Sequence, residues 1–133
     1  MHIRRIIGIV ALMLVIAVGS GFAIEYDAEV VIGAMRNNLQ QLQAIGAGIE
    51  EGDYVAIATA FFSLAEGMTH VLPMDPPRGE EEHWSATIKT VIDTAFLGVG
   101  ACGAHYDAGI QDAFQKLRGL SQEGHMAHRP PRN

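Results

Sequence analysis

From residue 31 onward the apolar side chains of this chain recur at helical spacing, and that periodicity limits the fold more than any other feature. Val31, Met35, Leu39, Leu42, Ile45 and Ile49 are separated by steps of four, four, three, three and four residues. Such steps put all six on one stripe of an α-helix, whereas a half-buried strand would alternate every second residue. Gly52 stops the stripe, and Asp53 is placed to cap a second helix with the stripe Ile57, Phe61, Leu64, Met68 and Val71, closed by Pro73. Residues 73–82, PMDPPRGEEE, hold three prolines and read as a loop. A third helix starts near Glu82, carries Trp84, Ile88, Val91, Ala95, Val99 and Cys102, and ends about Tyr106. Asp107 is placed to cap a fourth, with Ile110, Phe114, Leu117, Ser121, Gly124/His125 and His128 on its stripe, and Pro130-Pro131 ends it.

Each helix is about 20 residues, hence about 30 Å long. Short links after the first and third helices make antiparallel neighbours, and the proline loop joins the second to the third. The expected fold is all-α: an antiparallel up-down-up-down four-helix bundle over residues 24–129, with a tail at 130–133. Glycines at 46, 48, 67, 98, 100 and 103 lower helix propensity and loosen the boundaries.

The first 23 residues read differently. Arg4 and Arg5 precede an apolar and glycine run, Ile6–Gly19, and Ser20-Gly21-Phe22-Ala23 puts small residues at −3 and −1 of a cleavage site. A charged start, an apolar middle and small residues form a secretory signal peptide, 1–23. The alternative is an uncleaved membrane anchor, since the 19 residues from Ile6 to Ile24 just reach across a bilayer. Both imply export, to a bacterial periplasm, and only the second implies membrane attachment. Two of the nine Lys/Arg and none of the fifteen Asp/Glu fall in this segment, which leaves the remainder with 7 − 15 = −8. That balance argues against nucleic acid, whose phosphates need clustered basic residues. It is compatible with a basic protein partner. With Cys102 alone, no internal disulfide is possible.

The fourth stripe is apolar through Leu117 and then loses bulk at Ser121 and Gly124, with His125 on the same face. A helical Gly costs about 1 kcal/mol against Ala, which makes sense where a bulky guest needs room. In an antiparallel bundle Met35, early on the first helix, faces His125, late on the fourth. Imidazole and thioether on opposite sides of a flat macrocycle is a haem arrangement. A Met on an apolar stripe is, however, usually core filler, and a His near a chain end is usually solvated or capping. Spacing alone leaves both readings open.

The stretch DAFQKLRGLSQEGHMAHR, residues 112–129, resembles the C-terminal helix of the cytochrome c-prime superfamily. That helix reads Ala-Phe-x-x-Leu, three residues, then Cys-x-x-Cys-His-x-x-Tyr/Phe-Arg. Ala113, Phe114 and Leu117 match, His125 falls on the haem-ligand histidine and Arg129 on the arginine. Residues 34–53, AMRNNLQQLQAIGAGIEEGD, resemble the first helix of the low-spin members, with Met35, Arg36 and Asn38 matching. The proline loop followed by Trp84 is also similar. Ser121 and Gly124 replace the two haem-attaching cysteines, and Cys102 lies in the wrong helix to substitute, so no covalent haem c is expected.

Soluble b-type four-helix cytochromes of the bacterial periplasm also lack these cysteines. The resemblance therefore implies haem b held noncovalently, with Met35 and His125 as iron ligands. It implies Arg129 pairing a propionate, and Phe114, Leu117, Ser121 and Gly124 around the group, with Phe61 and Trp84 as further apolar wall. The implied function is one-electron transfer with a redox protein partner. A haem-free relative used as a structural or accessory interaction module is one alternative. A His/Met copper-type binder is another, from Met68/His70 or His125/Met126/His128, with Cys102/His105 a further pair. Homodimerisation, common among high-spin relatives, stays open. No nucleophile–base pattern or phosphate-binding glycine loop is present, so the chain does not read as an enzyme.

Overall fold

The computed structural model describes residues 24–128, with only the backbone of 125–127. The signal or anchor segment 1–23, Arg129 and the tail 130–133 lie outside the described residues. Four helices follow in order: α1, Ala28–Glu51; α2, Tyr54–Thr69; α3, Glu81–Gly103; and α4, Asp107–His128. None of them is long and apolar enough to cross a membrane.

The ends of these helices follow from local chemistry. The Asp27 carboxylate accepts from the N–H groups of Glu29 and Val30, satisfying donors that a first turn leaves orphaned. Gly52 takes φ 67° at the end of α1, a left-handed conformation that glycine adopts without Cβ strain. Asp53 caps α2 by accepting from Ala56 N–H. Two boundaries differ from expectation. α2 ends at Thr69, and residues 70–73 turn, because the residue before a proline is pushed out of helical geometry. Asp107 does not cap α4. It is the first helical residue, Ile110 N–H bonds to the Tyr106 carbonyl, and the Asp107 carboxylate accepts from the Tyr54 hydroxyl at 2.8 Å. Its charge still favours the positive end of the helix.

Contacts between consecutive helices run in opposite sequence directions, so the bundle is antiparallel and up-down-up-down. Between α1 and α2, Gly48 meets Ile57 near the link, while Asn37 Nδ2 donates to the Ser63 carbonyl and Asn38 Nδ2 to Met68 Sδ farther away. Between α3 and α4, Gly109 lies against Ala101, Gly124 against Thr87, and His128 against His83. Phe61 of α2 packs on Gly98 of α3. Ile24 ties the start of the described chain to the proline loop, donating to the Pro73 carbonyl and accepting from Asp75 N–H.

The core sits mainly between α2 and α3. Phe61, Ile57, Leu64, Val71 and Thr94 are fully buried there, with Ile45 from α1. A Cβ at position 98 would fall 2.7 Å from three atoms of the Phe61 ring. Gly98 therefore permits a close helix approach that its low helix propensity alone does not explain. The expected stripe of α2 is buried at every position, and that of α3 at all but Val99, which packs partly buried against the core. The stripe of α1 is buried only in part. Val31 and Ile45 are covered, Met35, Leu42 and Ile49 are half-buried, and Leu39 is 59% exposed. α1 rests on α2 through Ala34, Asn37, Ile45 and Gly48, and its Met35–Leu42–Ile49 side turns toward α4, its least intimate neighbour.

Candidate functional site

The seam between α1 and α4 comes together at Gly46 and Phe114 and is less well filled on either side of that contact. At Gly46 an added Cβ would lie 3.6 Å from Phe114 Cζ, an ordinary packing distance. Toward the α1–α2 link lies a pocket of about 220 Å³, lined by Ile49, Tyr54, Ile57, Asp107, Ile110 and Gln111. In the other direction Leu39 stands exposed on the seam. Eleven residues before Gly46 is Met35, and eleven after Phe114 is position 125. Eleven residues make about three turns, or about 16 Å, so both positions return to the seam side at one level. The His125 side chain itself, like Arg129, lies outside the described residues.

The other expected residues divide into two groups. Met35, Phe114 and Ser121 are half-buried, and Leu117 is buried; the Arg118 guanidinium stands 5.7 Å from the centre of the Phe114 ring. Gly124 is aimed at α3 rather than α1, because its Cβ would meet the Thr87 methyl at 3.8 Å. The space beside Gly124 is thus already bordered by protein. Phe61 belongs to the α2–α3 layer, packed on Gly98, and is ordinary core. Next to Met35 on α1, Asn38 donates to the Met68 sulfur while its own Oδ1 is buried without a partner. A buried acceptor left unpaired costs about 1–3 kcal/mol, so this atom is suited to a donor brought by water or ligand.

Of the soft-metal sets, Met68/His70 and Cys102/His105 are not assembled, while the side chains of His125 and Met126 lie outside the described residues. Met68 Sδ is engaged by Asn38 and His70 is exposed. Cys102 is buried, and burial pushes its thiol above the usual cysteine range. His105, at φ 52°, stacks its ring on Tyr54 with centroids 4.2 Å apart. Among the described residues, no group of three or more His, Cys, Asp or Glu could hold a metal ion. Beside the pocket at the α1–α2 link, the hydrogen bond to Asp107 holds the Tyr54 phenol above its ordinary value, with desolvation and the Asp107 charge adding to it.

Sequence reasoning missed one cluster. His128 is 4% exposed, and its Nδ1 lies 2.6 Å from the Arg78 carbonyl. Its Nε2 lies 2.7 Å from His83 Nδ1, and its ring meets Trp84 edge-on at 5.2 Å. Trp84 Nε1 donates to the Met74 carbonyl, and His83 Nε2 stands 3.9 Å from a Glu123 oxygen. The available signal was His83 beside Trp84 at the start of one helix and His128 at the end of its antiparallel neighbour.

Comparison with protein-family models, with curated proteins and with solved structures gave no match for this chain.

Proposed function

We propose that this bundle binds haem b noncovalently in the open part of the α1–α4 seam, between Met35 and His125, and transfers single electrons to and from a protein partner. The observation that supports the reading is the register set by Gly46 and Phe114, which puts Met35 and helix position 125 at one level, beyond the exposed Leu39. The residues at hand fit such a group. Met35 offers a half-buried thioether, a soft ligand that favours the reduced iron of a His/Met pair. Leu42, Phe114 and Leu117 give an apolar wall that excludes water. When bound, the iron would supply a one-electron couple, and the chain's part is to orient and shield it. Export is part of the same proposal, and a protein mass beginning at Ile24 checks cleavage of the signal.

Titration of the protein with haem, followed by visible spectroscopy, tests this. Low-spin bands should appear and be lost in both Met35→Ala and His125→Ala. Absence of uptake by a folded protein refutes it. A haem-free structural module is the second reading. It is favoured by the core at the same end of the bundle, where Met68, Val71, Met74 and Trp84 are all buried by the chain itself.

A further inference from the structure

We infer that two copies of this chain associate weakly through the outer face of α2 and α3, where the Phe62–Phe96 pair of each copy fills a glycine hollow of the other. This inference does not depend on haem binding. The face differs from the rest of the surface in its lack of charge. α2 carries one charged residue, Glu66, and α3 carries none from Thr94 to Gly103. In the same stretches Val55, Phe62, Phe96 and Leu97 are exposed, Val55 by 78%. Phe62 and Phe96 meet edge-on across the two helices, with ring centres 6.3 Å apart, and so form one ridge. Apolar residues exposed singly are ordinary, whereas a contiguous apolar face marks a contact surface.

The relief of the face matches a second copy. Seven residues separate Phe96 from Gly103 and Phe62 from Val55. Seven residues are two helical turns, so each pair lies on one side of its helix, about 10 Å apart. The helices are antiparallel and Phe62 stands level with Phe96, so Val55 stands level with Gly103. The ridge is thus at one end of the face. At the other end is a hollow, where a Cβ on Gly100 or Gly103 would meet nothing within 4 Å. A two-fold axis normal to the face, passing between Thr59 and Gly100, exchanges the two ends. It lays Phe62 of each copy on Gly103 of the other, and Phe96 on Val55. Such a contact is isologous, each copy offering what the other fills. Charge favours the same arrangement. The formal net charge is −6, so two copies repel over most of their surfaces. Here they meet where neither is charged, and Glu66, Lys89 and Asp93 fall outside the matched span. That span is two helix widths across and covers roughly 300 Å² per copy, below the 800 Å² or so per partner of a standard interface. The dimer is accordingly reversible and depends on concentration.

Sedimentation equilibrium of the protein over a range of concentrations tests this. The weight-average mass should rise toward twice that of the monomer. High salt should raise it further, because screening removes the repulsion between acidic copies. Phe62→Glu should weaken association by roughly tenfold or more, since it puts a charge on the central anchor of both copies. Its helical circular dichroism should be unchanged, because Phe62 is 52% exposed. Gly100→Leu is the sharper variant. The monomer has open space at this position, and leucine is the better helix former, so folding is not at stake. The new side chain fills the hollow, and association should fall as it does in Phe62→Glu. Mere apolar stickiness would grow instead. A protein that stays monomeric at every concentration and salt level overturns the inference. So does association that Gly100→Leu leaves unchanged or strengthens. A monomer that binds phosphatidylcholine vesicles, and loses them in Phe62→Glu, would overturn it by giving the face to a lipid surface.

Discussion

The α2–α3 layer and the α1–α4 seam are built from similar residues and end in different states. In the layer, Phe61 is fully buried on Gly98, with no room left for a Cβ. In the seam, Gly46 faces Phe114 at an ordinary distance, and seven residues earlier Leu39 is mostly exposed. A stripe of apolar residues is a statement about one helix. Whether it is covered depends on how many neighbours that helix has, and α1 has one close neighbour where α2 and α3 have two. The uncovered part of the α1 stripe is where Met35 sits, so the looseness and the proposed function fall in the same place.

The strongest way to break this contrast is to truncate one large side chain on each side. Phe61→Ala should cost about 3–5 kcal/mol, as expected for a buried aromatic in a rigid layer. Leu39→Ala should change stability by less than about 0.5 kcal/mol. Denaturant unfolding measures both, and a cost at Leu39 near that of Phe61 would mean that the seam is closed in solution. Glycine substitutions sharpen the same contrast. Gly98→Ala should destabilise by about 1–3 kcal/mol through overpacking against Phe61. Gly46→Ala should stabilise by up to about 1 kcal/mol, because helix propensity improves and the new methyl makes only ordinary contact. Thermal melts that rank the two in the reverse order would contradict the packing described.

A smaller effect concerns the pocket at the α1–α2 link. Tyr54 is held above its ordinary pKa by its hydrogen bond to Asp107, so it supports the folded state below the usual phenol range. That support is lost as pH rises through the raised value. Spectrophotometric titration should find the Tyr54 midpoint lowered in Asp107→Asn, and an unchanged midpoint would show that the contact is not made.

The α2 and α3 stripes were legible in the sequence because those helices lie between two neighbours, and any apolar residue near the centre of the stripe is covered. The α1 stripe was legible only as a helix. Its buried edge passes through Ala34 and Gly48, small residues that carry little weight in an apolar pattern yet allow α2 to approach. Asp107 had the spacing of a cap, but the Tyr54 hydroxyl from another helix claims its carboxylate. Gly124 looked like a clearing toward α1, and the helix rotation turns it to Thr87. Of the candidate site, the shared level of Met35 and position 125 was legible from antiparallel order alone. The His83–His128 pair was not, because it depends on the register of two helices whose paired residues are 45 apart in sequence.

Hydrogen exchange of the protein with and without added haem tests the central claim most directly, because it reads uptake and location together. The account predicts that amides over residues 35–42 of α1 and in the last two turns of α4 exchange more slowly when haem is present. Amides around Phe61 and Gly98, already protected by the layer, should keep their rates. Unchanged exchange along the Met35 side of the seam, or slowing confined to the α2–α3 layer, would contradict it.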